Sequence, residues 1–243
     1  MKRLALELSD AGILAVGSDA ARLLELDGPE KESPGYALAE KNQFTVGKAA
    51  EKKAHLFPRL VISHFWDQLN TETLDHPGPY TQQNHAELAY AHLERIWQNI
   101  KMHGDEMIMA VPGFYNRDQL SLLLGIANEL SLPIRGYIPI ALAASDRPCL
   151  QGALFHLDIH LHRVEIIFLK QGEYLTCEDS ASLAEKGLAY LHREWVETIA
   201  AEFVRSTRFD PLHQAVSEQE LFDRLPAVLE QLQKHASVDF EMA

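Results

Sequence analysis

Cysteine is nearly absent: the 243 residues hold only Cys149 and Cys177. Two thiols are too few for a disulfide framework, and their separation matches no metal-ligand spacing. The chain therefore reads as a cytoplasmic protein with two buried, reduced thiols. Long apolar runs are missing as well. No segment approaches the ~20 apolar residues of a membrane span, and the opening MKRLALELSDAG is broken by Glu7 and Asp10 before it could act as a signal-peptide core. Basic residues are outnumbered, with 22 Lys and Arg against 35 Asp and Glu, for a formal charge of −13. That sign repels nucleic acid and anionic membranes, so neither is expected as a partner. The Gly-x-Ser-x-Gly elbow is missing too, which leaves Ser9-Asp10 and other Ser/His/Asp combinations without the context of nucleophilic catalysis.

What is present is ordinary globular material. Hydrophobic residues make up 47% and charged residues 23%, enough for one large core or two modest ones. Leu4, Leu6 and Leu8 alternate with polar or small residues, the pattern of a strand with one buried face. Ile13 to Val16 and Leu23 to Leu26 supply two more strands, closed by the Asp27-Gly28-Pro29 breaker. A short helix follows Gly47, and His76-Pro77-Gly78-Pro79 marks a loop. From Asn84 the apolar period becomes helical, with Leu88, Ala91, Ile96, Trp97 and Ile100 mainly on one side. Met107 to Val111 is a continuous apolar run, as expected of a strand covered on both faces. Asn116 is placed to cap the next helix, and Pro133 separates that helix from a strand over Ile134 to Ile138. Strand, helix and strand in so short a span imply a right-handed parallel crossover.

The second half opens with a meander over Phe155 to Arg163, Val164 to Leu169 and Tyr174 to Cys177. Leu183, Leu188, Leu191, Trp195, Ile199 and Phe203 then step at helical spacing. Ser217 to Glu220 offers a capping box for a further helix. Trp66, Trp97 and Trp195 read as core or interface anchors, and His192 and His213 as structural residues.

Several of these segments resemble the superfamily of actin, sugar kinases and DnaK-type heat-shock chaperones, the chaperone branch most closely. Ala110-Val111-Pro112-Gly113-Phe114-Tyr115-Asn116 with Gln119 is similar to that branch's Val-Pro-Ala-Tyr-Phe-Asn turn. Leu132 to Ala144 is similar to the segment that reaches Asn-Glu-Pro-Thr-Ala-Ala-Ala. Phe44 to Ala50 resembles the Gly-x-x-Ala element, and Glu185 to Arg205 with Phe209-Asp210-Pro211 resembles the second-lobe helices. The resemblance implies an α/β fold of two ribonuclease-H-like (actin-like ATPase) lobes, over 1–147 and 148–243. The second lobe is abbreviated, and the boundary lies near Ser145 to Gln151.

The family's chemistry needs two Gly-rich hairpins whose N–H groups approach phosphate, with acids that hold Mg²⁺. Where the family has Asp-Leu-Gly-Thr-Thr, this chain has Glu7, Leu8, Ser9, Asp10 and Ala11. Where it has Asp-Leu-Gly-Gly-Gly-Thr, the chain has Asp158, Ile159, His160, Leu161, His162 and Arg163. Ile138 stands in place of the acid of the Asn-Glu-Pro turn. The resemblance thus implies the fold and argues against the activity: a degenerate nucleotide-binding domain with little or no ATPase activity and no expected cofactor, acting through a protein partner or a homodimer. The alternative is an active ATP- and Mg-dependent chaperone or kinase module, completed by a further C-terminal section or a partner.

Two smaller expectations concern the same residues. His156, Asp158, His160 and His162 alternate along a run read as one strand. They would then share a face at roughly 6.5–7 Å per pair of residues, a possible transition-metal site; the competing reading is a cleft-facing strand surface. Arg163 is expected in a surface salt bridge to Glu165 or a nearby acid, with anion binding as its other use.

Overall fold

A computed structural model describes residues 2–18, 22–40, 43–74, 83–145 and 153–242. The leucine alternation gives β1 (Arg3–Glu7) a buried edge of Leu4 and Leu6, and β2 (Ile13–Gly17) returns antiparallel to it with Leu6 beside Ala15. The third strand is shorter than expected. β3 is only Arg22–Leu23, because Leu26 is fully buried and its N–H closes the next turn on the Glu30 carbonyl at 2.8 Å. β4 (Glu32–Ser33) pairs with the start of β2. β5 (Ala37–Glu40), β6 (Gln43–Val46) and β7 (Val61–Ile62) form a small sheet in the order β6-β5-β7. Helix α1 (Lys48–Glu51) begins after Gly47, whose φ of 72° suits glycine, and the Asp27 carboxylate accepts the Lys48 N–H.

Asn84 caps α2 (His85–Ile100) in a reciprocal box with Glu87, and Asn116 caps α3 (Arg117–Glu129) in the same way with Gln119. Between them a single 3₁₀ turn over Lys101–His103 leads into β8 (Glu106–Val111). β8 runs parallel to β1, and β9 (Ile134–Pro139) runs parallel to β8, as the crossover reading requires. The sheet order is β3-β2-β1-β8-β9, with β2 the antiparallel member next to β1. Its core joins Leu4, Leu6, Met107 and Met109 to Leu88, Leu93 and Ile96 of α2 and Leu123 and Ile126 of α3. One expectation fails here: β8 is not covered on both faces. Ile108 points away from the helices and is 50% exposed.

After the short α4 (Ile140–Ala143) comes the meander of β10 (Leu154–Ile159), β11 (Arg163–Gln171) and β12 (Leu175–Ala184), all antiparallel. The run read as one strand from Phe155 to Arg163 is in fact two. It breaks after Ile159, where the His160 N–H bonds the Arg163 carbonyl at 2.9 Å and Ile159 pairs with Val164. Two long helices follow, α5 (Leu188–Thr207) and α6 (Ala215–Leu232). Ser217 does not cap α6, which starts after Gln214; the Ser217 hydroxyl donates to the Pro211 and Gln214 carbonyls instead. Trp195 is not an anchor either. It is 44% exposed, and only Val196 and Ala200 of α5 are buried.

The architecture is mixed α/β. Among the described residues no helix is long and apolar enough to cross a membrane. Cys177 is an exposed thiol on β12, contrary to its expected burial, while Cys149, the His76 to Pro79 loop and most of the expected lobe boundary lie outside the described residues.

Candidate functional site

Strand ends bring together the turn after β1 and the turn after β10. The turn after β1 carries Ser9 and Asp10, both buried, and the turn after β10 carries His160, Leu161 and His162. Asp10 does not face an open pocket. Its Oδ1 accepts the Leu161 N–H at 2.8 Å, and its backbone carbonyl accepts the Gly35 N–H at 2.8 Å. Burial pushes the Asp10 carboxyl up to about 6, only partly offset by the Leu161 N–H and the nearby His160. Ser9 is buried without reaching this contact; its carbonyl accepts the Gly12 N–H within the turn.

His160 is the centre of the arrangement. It has no exposed side-chain surface, and its ring meets carboxylates from three elements: Asp158 at 3.3 Å, Asp10 at 3.7 Å and Glu165 at 3.8 Å. The Phe114 ring closes the remaining side edge-on, with centroids 5.1 Å apart. Burial disfavours the imidazolium, but Glu165, Asp158 and Asp10 outweigh it and hold the ring above the usual histidine range. Glu165 is itself buried and accepts the Gly113 N–H at 3.2 Å, so the Pro112-Gly113 turn of the first unit also rests on the meander. Glu7 lies at the end of β1, where partial burial and then Asp158 raise its carboxyl.

The four alternating residues do not share one strand face. His156 and Asp158 do, with Nε2 and Oδ2 4.0 Å apart. His160 turns into the carboxylate cluster, and His162 leaves for another neighbourhood, stacked on His64 at 3.5 Å with Nε2 3.1 Å from the Ser63 carbonyl. Burial and then His64 push His162 down to about 4. The break after Ile159 therefore separates the three histidines His156, His160 and His162 that the metal expectation placed on one face. Among the described residues no group of three or more His, Cys, Asp or Glu is arranged to hold a metal ion.

Arg163 also differs from expectation. Its partner is Asp67, at 2.5 Å and almost fully buried, and its guanidinium lies 4.1 Å above the Phe114 ring. It is not a surface pair with Glu165: its Nε–H donates to the buried Asp67 carboxylate. Asp67 and His64 carry no motif that marks them as site residues, and Phe114 entered only as part of the Pro112 to Asn116 turn. Glu165 was named only as a surface partner for Arg163.

A cavity of about 830 Å³ opens beside the turn, lined among others by Lys48, His55, His64, His162, Tyr190 and Phe222. The His55 side chain meets Glu218 at 2.9 Å and stacks on Phe222 at 3.7 Å, which ties α6 to the α1 region. At the turn itself the N-terminal amides of α5 are already used. The Leu188 and Ala189 N–H groups donate to the His160 and Leu161 carbonyls at 2.8 and 2.9 Å.

Against this geometry a nucleotide with Mg²⁺ fits poorly. A phosphate cradle needs free backbone N–H groups and room beside them. Here the Leu161 N–H is taken by Asp10, and His160 fills its space without any exposed surface. The groups that remain form an acid-rich cluster around one imidazole. Such a cluster can store a positive charge or a proton between two elements, but it offers no donor to an anion. No protein-family model matches this chain, and no curated protein is significantly similar to it.

Proposed function

We propose that this chain is a degenerate module of the actin/DnaK type, with little or no ATPase activity, that works through contacts with other proteins. The sheet order β3-β2-β1-β8-β9, with β2 antiparallel, supports a ribonuclease-H-like first lobe over 1–147. A three-stranded meander followed by a helix supports an abbreviated second lobe over 148–243. The observation that carries the loss of activity is His160, fully buried against Asp10, Asp158 and Glu165 where a phosphate hairpin needs open backbone.

Support for protein contacts comes from the meander. Phe155, Leu157 and Leu183 are 61%, 59% and 58% exposed, and they lie with Ile159 and Ile166 on one face of the sheet. A contiguous apolar face of this kind marks an interaction surface on a folded protein.

Calorimetric titration with ATP and Mg²⁺ tests the reading. No heat is expected up to millimolar nucleotide. Saturable binding, with Mg²⁺-dependent hydrolysis lost in Asp158→Ala, would overturn it in favour of an active chaperone or kinase module.

A further inference from the structure

Burying an imidazole among carboxylates is costly unless the charges satisfy one another, so the contacts around His160 mark a place where the fold has committed charge to a specific geometry. The participants come from separate parts of the chain. Asp10 belongs to the β1–β2 turn, Asp158 to β10, His160 to the β10–β11 turn and Glu165 to β11. Two backbone bonds cross the same seam, Leu161 N–H to Asp10 and Gly113 N–H to Glu165. The Arg163–Asp67 pair crosses it a third time. At the centre Asp10 Oδ2, Glu165 Oε1 and both ring nitrogens of His160 are buried without a hydrogen-bond partner, the ring meeting Asp10 Oδ1, Asp158 Oδ2 and Glu165 Oε2 only at ion-pair distance. Charge therefore acts at this seam beside the apolar cluster of Ala141 with Ile167 and Leu169.

We propose that His160, gripped by Asp10, Asp158 and Glu165, is a built-in clasp that keeps the meander unit closed on the β1–β2 turn without any ligand. The idea rests on the reading of these turns as filled phosphate hairpins: a side chain of the protein takes up the bridging position that would otherwise belong to a bound molecule. A glycine at 160 could make none of these contacts, so the clasp is a property of the substituted residue. Glu7, His156, Asp67 and Arg163 surround the cluster, and Phe114 packs edge-on against the His160 ring.

Distances between spin labels on the two units test the clasp. One label uses the exposed Cys177 on β12 and the other Met102→Cys, at a position 79% exposed after α2, in a Cys149→Ser background. The expected wild-type distribution is narrow and unchanged by Mg²⁺ with a non-hydrolysable ATP analogue. His160→Gly and Asp10→Asn are each expected to broaden it, and in His160→Gly the Leu161 amide should exchange roughly 10²-fold faster or more, as for a buried ion pair that loses one partner.

Asp10→Asn keeps an oxygen for the Leu161 N–H while removing the charge, so it carries the test if the glycine variant does not fold. Narrow distributions in both variants, or a wild type that closes only on adding nucleotide, would overturn the clasp. Nucleotide heat in calorimetry, with a wild type that stays narrow and variants that open, would sink the filled-hairpin reading and leave the clasp standing. No heat together with closed variants would do the reverse.

Discussion

Histidines in this protein differ by what surrounds them, and the differences have opposite signs. His92 on α2 is fully buried, with Trp66 Nε1–H donating to its Nδ1 at 3.0 Å. Its Nε2 lies 2.8 Å from the Ser33 hydroxyl, an arrangement that fixes the neutral Nε2–H tautomer. Burial pushes His92 down to about 3. A histidine depressed in the fold contributes stability that is full above its unfolded value near 6.5 and is lost as pH falls toward the folded value. His162, held down to about 4, acts with the same sign.

Asp10 and His160 act the other way. Asp10 is raised from 3.8 to about 6, so its contribution is present in acid and fades as pH rises through that value. His160 is raised from 6.5, so its contribution is present below that value and disappears as pH climbs through the folded one. Thermal melts should therefore show a decline as pH rises above about 6.5 that is absent in His160→Gln. A wild-type melting temperature flat from about pH 6.5 upward would contradict the assignment. Separately, His92→Leu leaves the Trp66 indole N–H and the Ser33 hydroxyl without their partner. It should cost about 1–3 kcal/mol in urea unfolding, and an unchanged midpoint would show that water replaces the ring.

At the level of elements, the caps follow from local chemistry while the junctions do not. Asn84 with Glu87 and Asn116 with Gln119 are reciprocal boxes formed by residues three apart, so their geometry is fixed before any tertiary contact. Ser217 with Glu220 has the same spacing, yet α6 begins earlier and Ser217 serves the Pro211 turn instead. The start of α5 depends on a junction. A Cβ on Gly187 would overlap the backbone of the 160–163 turn, onto which the first α5 amides dock. Gly187→Ala should destabilise the protein by about 1–3 kcal/mol and lower amide protection at Leu188 and Ala189. Intact protection at those amides would mean that the turn gives way without loss.

The whole molecule has an uneven distribution of apolar surface. The first sheet buries its leucines and methionines under α2 and α3, whereas the meander leaves Phe155, Leu157 and Leu183 open. The outer edge of β12 is blunted by a register shift near Phe168 and by Glu178 and Asp179, a common protection against unwanted strand pairing. β10 carries no such irregularity along its pairing with β11. If the exposed face mediates self-association, sedimentation velocity should show a concentration-dependent dimer that Leu157→Lys abolishes. A wild-type monomer at every concentration would exclude a second copy as the partner.

Periodicity made most of the first half legible. The alternating leucines, the helical stripe from Asn84 and the Pro133 break each correspond to an observed element, because each reports which side of a local structure meets the core. The same logic failed at Phe155 to Arg163. Alternation of apolar and polar residues continues through His160 and His162, and nothing in the pattern reveals that the chain reverses there. His92 was legible in principle, four residues from both Leu88 and Ile96 on the buried stripe of α2. Asp67 and Glu165 were not, since a charge is buried only when a distant residue compensates it.

Sequence alone determined most elements of the first half and the caps at Asn84 and Asn116, all consequences of side-chain size and local hydrogen bonding. Tertiary structure decided what the substituted residues do. Residues 151 and 96 positions apart meet when Asp10 takes the Leu161 N–H and Asp67 takes Arg163. Whether a buried histidine is a metal ligand, a spacer or the centre of an ion cluster depends on the dielectric and the charges brought to it from elsewhere, and only the packed fold supplies those.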